Sequence, residues 1–215
     1  VGKINSMTVY NSNVGTFSTT SQGQLPATCG QITGGGVVVT VSGTQYMYVT
    51  GGQGGCNGST VYKATIDSSG NVGTFATTSQ AQLPVALTQH SSITATIGGT
   101  QYLYTIGGIV GAVQSTVYKS TIDGSGNVGT FSTTSQAQLP ATMRLSSAVT
   151  TSIGGTQYLY FMGGTNGPSN SVLYKATIDS SGNVGTFATT SQGQLLISHG
   201  NYPGAIVTTI GGTQY

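Results

Sequence analysis

The side chains that can move a proton or hold a metal form a short roster here. They are Asp67, Asp123 and Asp179, His90 and His199, Cys29 and Cys56, Lys3, Lys63, Lys119 and Lys175, and Arg144, with no glutamate. General acid–base chemistry needs titratable groups with tuned pKa values brought to one place. The three aspartates do not meet that need, because they recur at one position of a repeated turn and belong to separate hairpins. Each is expected to bond its own backbone as a turn former. One carboxylate per "DSSGN" or "DGSGN" loop is also too few for the oxygen cage of a calcium site. His90 and His199 fall near the starts of equivalent strands, and two imidazoles without a third ligand make a weak metal site. Both are read as histidines hydrogen-bonded where a loop enters a strand. The serines lack a G-x-S-x-G elbow, and the glycine runs lack the lysine and helix of a phosphate loop. No catalytic set, cofactor or metal is expected.

Across the whole chain only 4% of the 215 residues are charged and the net charge is +2, against about 25% charged in an ordinary soluble domain. Five scattered cations cannot form the basic stripe that nucleic acid or an anionic membrane requires. Apolar runs such as "GVVVTV" are far too short to span a bilayer as a helix. The opening "VGKINSMTVY" has no basic n-region or apolar h-region, which leads to the expectation of a mature, secreted chain. Strands rich in Val, Ile and Tyr, with Gly, Ser, Thr, Asn and Gln for surface, predict a folded rather than disordered protein.

What positions the roster is a repeat. Phe17, Phe75, Phe131 and Phe187 are spaced by 58, 56 and 56 residues, a period typical of propellers or solenoids. Within one period "HSSITATIGGTQYLYTIGG" alternates apolar and polar residues on both sides of Gly98-Gly99, as a tight hairpin does. "STVYKATID" and "NVGTFATT" alternate too. Four antiparallel strands per period are predicted, A to D, at about 89–97, 101–106, 115–122 and 128–134 in the second. No window has a helical period.

These residues resemble the kelch repeat of galactose-oxidase-like β-propellers over the whole chain. The matching positions are Gly51-Gly52, Gly107-Gly108 and Gly163-Gly164 after strand B, then Tyr62, Tyr118 and Tyr174, then Phe75, Phe131 and Phe187. Leu25-Pro26, Leu83-Pro84 and Leu139-Pro140 add the "LP" step, and His90 follows its proline by six residues. Phe stands where kelch repeats usually have Trp. Cys29, Leu87 and Met143 replace the usual Arg, with Arg144 one place late. The resemblance implies a β-propeller; any function of those arginines does not carry over.

The chain starts with strands C and D and ends with A and B, so the expected fold is an all-β, four-bladed propeller of four-stranded blades. Residues 1–19 and 191–215 form one composite blade around blades at 20–78, 79–134 and 135–190. Val9, Tyr10 and Phe17 then meet Ile206, Val207 and Tyr215, within one chain by preference, or between chains to make a fibre. Pairing these edges would remove templates for uncontrolled association. Cys29 and Cys56 lie at the same end of one A–B hairpin and are expected to form a disulfide; Asn57 begins a glycosylation sequon. Function is expected to be structural, an extracellular self-associating subunit of a filament, sheath or surface layer. The alternative is a secreted adhesion or glycan-binding module. An oxidase of the galactose-oxidase kind would need a Tyr, Cys and His copper set that the spacing does not support.

Overall fold

The computed structural model describes residues 22–26, 35–53, 58–189, 193–196, 198, 204–207, 209–210 and 213–214. Among them there is no helix, and the chain is all-β. Three antiparallel sheets of three strands repeat one plan. The first consists of β1 (Gly36–Val41), β2 (Thr44–Thr50) and β3 (Val61–Ile66). The second consists of β4 (Ser91–Ile97), β5 (Thr100–Ile106) and β8 (Val117–Ile122), with a small ribbon of β6 (Ile109–Val110) and β7 (Ala112–Val113) beside it. The third consists of β9 (Ser147–Ile153), β10 (Thr156–Met162) and β11 (Leu173–Ile178). A last ribbon pairs β12 (Thr209–Ile210) with β13 (Thr213–Gln214). Among the described residues no sheet closes into a barrel.

The hairpin between the first two strands of each sheet follows the sequence. Gly98 and Gly99 have φ of +56° and +82°, the two positive values of a type I′ turn that matches strand twist. Register then pairs Ile93 with Tyr104 and Ala95 with Tyr102, which sends alternate residues of β5 to opposite faces.

The expected fourth strand is not a strand. Residues 128–134 touch β8 only at two bridges, Ile122 with Val128 and Lys119 with Ser132. Three steps on β8 face four on the other segment, the mismatch of a bulge. Gly129 donates to the Thr121 carbonyl, and the Ser120 hydroxyl donates to the Gly129 carbonyl. Val128 turns its own N–H and carbonyl to the side away from β8, where it donates to Gln80 Oε1 and accepts from Ala81 N–H. The connection from the preceding sheet therefore caps the outer edge of this segment.

The apolar core lies between consecutive sheets. Val37, Val39, Tyr48 and Val61 of the first sheet meet Leu103, Ile122, Val128 and Phe131 of the second unit, with Leu83 and Leu87 of the connection wedged between. One period later Tyr102, Tyr104, Ile106 and Val117 meet Leu159, Phe161, Ile178, Val184 and Phe187, with Leu139 and Met143 as the wedge. Each fully buried side chain of this size contributes about 1.5–3 kcal/mol, so apolar burial holds unit to unit while backbone ladders hold each sheet together.

Candidate functional site

The first strands of the three sheets, β1, β4 and β9, stand side by side. They line a cleft of about 520 Å³ that is also bordered by Ala205, Ile206 and Val207. Its polar lining is hydroxyl: Ser91, Ser92, Thr94, Ser146, Ser147 and Thr150, with His90 at one end and no charged residue. Alternation along the strands puts every second hydroxyl against a neighbouring sheet. Ser91 Oγ donates to the Ser146 carbonyl at 2.8 Å, and Thr150 Oγ1 donates to the Thr94 carbonyl at 2.7 Å.

His90 is 2% exposed. Its Nε2 lies 2.8 Å from Thr50 Oγ1, which lies 2.7 Å from Ser92 Oγ. The order Ser92, Thr50, His90 is a hydrogen-bond relay from the cleft into the core. Spacing alone did not reveal it, because Thr50 ends a strand of a different sheet. Burial pushes the imidazole well below its ordinary 6.5, to about 3. The relay therefore holds a neutral ring and is a poor acceptor of a proton from Ser92. No hydrogen-bond partner of His90 Nδ1 is found among the described residues, and no carboxylate orients the ring. What this cleft can do is exchange hydrogen bonds with an uncharged hydroxyl-rich group.

The other sequence candidates sit elsewhere. Asp67, Asp123 and Asp179 close their own turns. Asp123 Oδ1 accepts from the N–H groups of Ser125 and Asn127 at 2.9 and 2.8 Å, and its siblings do the same. Those bonds, from the Asn N–H first, hold all three carboxyls below the usual range. Among the described residues no three of His, Cys, Asp and Glu gather as a metal site. Ile206 and Val207 precede β12 instead of lying in a strand at 203–209. Ile206 is 83% exposed. The disulfide of Cys29 and Cys56, His199, and the closure residues Val9, Tyr10, Phe17 and Tyr215 lie outside the described residues.

Sequence reading missed a set of polar clamps. Gln80 and Gln136 are buried and bond the next unit. Gln136 Oε1 accepts from Val184 N–H at 2.9 Å, and its Nε2 donates to Asn183 Oδ1 at 3.0 Å. Gln22 repeats this with Val72 and Asn71. From the opposite side Lys63 Nζ donates to Asn127 Oδ1 at 2.8 Å and Lys119 Nζ to Asn183 Oδ1 at 2.6 Å. Tyr48 and Tyr104 donate to the carbonyls of Gly126 and Gly182 at 2.7 and 2.8 Å. Burial raises both phenols above their ordinary range, so they stay protonated donors. The signal was present in the sequence as "SQGQL" and "SQAQL", glutamines at a constant place in each period.

Gln136→Leu is expected to lower unfolding free energy by about 1–3 kcal/mol, since it leaves the buried Val184 N–H unpaired. Urea denaturation read by tyrosine fluorescence checks this. A loss no larger than that of an exposed control such as Thr96→Ala would contradict the clamp. Compared with models of known families and with curated proteins, the chain matches none.

Proposed function

We propose that the chain is a non-enzymatic structural protein of the cell exterior that associates with copies of itself into a filament, sheath or surface layer. One observation carries the reading. The residues repeated at the 56-residue period are used to hold unit to unit: tyrosines and lysines grip the next turn, glutamines grip the bulged segment, and aspartates shape the turn being gripped. An array whose repeated chemistry is all internal fits a building block better than a catalyst. Scarce charge supports it too, because neighbouring copies then repel weakly.

The fold we propose is the kelch-like β-propeller arrangement, with the three sheets as consecutive blades and the cleft beside its axis. It has two end states. In the closed state the segments 1–19 and 191–215 make a composite fourth blade through Val9, Tyr10, Phe17, Ile206, Val207 and Tyr215. In the open state the packing passes from chain to chain. Sedimentation velocity across a concentration series, with negative-stain micrographs, tests the functional reading. Extended assemblies are expected, and single-chain particles at every concentration would overturn it.

The hydroxyl-lined cleft favours a second reading, a secreted module that binds a glycan. Carbohydrate is the ligand class that an uncharged hydroxyl surface suits. Saturable titration with neutral oligosaccharides, lost in Ser92→Ala, would support it; heat signals at the level of buffer would remove it.

A further inference from the structure

The two ends of the described array carry matching parts of the contact that joins its sheets. Within the array each sheet seats the Ser-Gly-Asn tip of the next unit's turn. Tyr46 and Tyr102 cover Gly126 and Gly182 so closely that a Cβ there would meet the rings at 2.7 and 2.6 Å. Tyr48 and Tyr104 bond the glycine carbonyls, and Lys63 and Lys119 bond the flanking Ser carbonyl and Asn side chain.

The third sheet carries the same socket. Tyr158 and Tyr160 lie 6.3 Å apart, like Tyr46 with Tyr48 and Tyr102 with Tyr104. The Lys175 ammonium is already poised 4.8 Å from the Tyr158 ring. Leu159 and Phe161 point back into the core, so Tyr158 and Tyr160 lie on the outer face. Tyr48 and Tyr104 are 0% exposed, but Tyr160 is only half-buried, and among the described residues no turn sits on it.

At the other end the Asp67–Asn71 turn has the same internal bonds as its siblings. Yet Gly70 is exposed where Gly126 and Gly182 are buried, and Ile66 and Phe75 are half-buried where Ile122, Ile178, Phe131 and Phe187 are buried. A Cβ on Gly70 would meet nothing within 4 Å. Asn71 Oδ1 takes Gln22 as Asn127 takes Gln80, but has no described lysine.

We propose that the Tyr158–Tyr160–Lys175 socket of one copy seats the Asp67–Asn71 turn of a second copy, repeating between chains the contact that joins sheets within a chain. Such a head-to-tail contact is heterologous, so it continues into a filament or closes a ring of chains. The inference rests on self-association as the chain's function, and it selects the open end state over the composite blade.

Tyr160→Arg blocks the socket and Ile66→Arg blocks the turn, each on a half-buried residue. Sedimentation velocity should give each variant alone the mass of one chain, 21.6 kDa, while wild type assembles further. An equimolar mixture should give twice that mass and no more, because each variant keeps one working end. Formation of that heterodimer also proves both variants folded. Lys175→Met alone should weaken assembly at least tenfold. If wild type assembles and the variants assemble equally well, the socket is wrong and the structural reading stands. If wild type stays a single chain, the structural reading itself fails. In that event, a fall in unfolding midpoint for Lys175→Met matching that for Lys119→Met would identify the occupant as the chain's own 11–17 segment, closing a ring.

Discussion

Replacing Gly107 with alanine is expected to cost about 2–6 kcal/mol of folding free energy, a large share of the roughly 5–15 kcal/mol that holds a domain folded. Gly107 follows β5 with φ of +66°, where a non-glycine residue costs about 1–3 kcal/mol. A Cβ at that position would also overlap the Met143 carbonyl oxygen. That oxygen cannot move away, because it accepts the Gly108 N–H at 2.7 Å and Met143 is buried in the wedge between the second and third sheets. Overpacking of this kind adds about 1–3 kcal/mol. Gly99→Ala supplies the comparison. It too has a positive φ, +82°, but no atom lies within 4 Å of its added Cβ, so only the conformational part, about 1–3 kcal/mol, is expected. Urea titrations of the two variants separate the effects. Equal losses would mean that the Met143 carbonyl does not press on Gly107.

Acidification gives the second large effect. The folded chain holds His90 at about 3 through burial, against 6.5 when exposed. Between those values the unfolded chain binds a proton that the folded chain refuses, so unfolding free energy rises with pH. The stabilisation from the neutral ring is complete above about pH 6.5 and drains away as pH falls toward 3, a loss on the order of 4 kcal/mol. The three aspartates act at lower pH, since their carboxyls lie below the usual range and lose their turn bonds only on protonation. Unfolding midpoints measured from pH 8 to pH 4 should therefore fall for wild type. The slope should be much flatter in His90→Gln, which removes the titrating ring and retains an amide toward Thr50 Oγ1. Parallel slopes would show that His90 is not the group responsible.

The sequence displayed the parts of this fold that depend on local chemistry. The Gly98-Gly99 turn, the pairing of β4 with β5 and the Asp turn formers are set by neighbours within a few residues, and the structure has each of them, although β5 is buried on both faces from Tyr102 to Ile106 rather than alternating. The bulged fourth segment was not legible. Its "NVGTF" alternates like a strand, and the extra residue between the bridges at Val128 and Ser132 breaks the ladder without leaving a mark in that alternation. The Ser92, Thr50, His90 relay was hidden for a different reason, because its members come from two sheets and meet only when β1 and β4 stand together. Lys63 with Asn127 lies between these cases. Both residues recur at constant positions, so the period held the information, but the pairing skips from one unit to the next and no single unit contains it.

That skipping has a genetic consequence. The clamps span 47 and 48 residues for Gln136, 49 and 50 for Gln22, 64 for Lys to Asn and 78 for Tyr to Gly, each joining one unit to the next in line. Deleting or duplicating one 56-residue stretch of coding sequence, wherever the cut falls within the period, would join a lysine to a new asparagine in an identical setting. The added or removed unit would disturb no register and orphan no buried amide. Length in this chain is thus free to drift by whole units through unequal recombination, while a shorter insertion is tolerated only where both ends of a clamp keep their places, as the two extra residues between Gln22 and Asn71 allow.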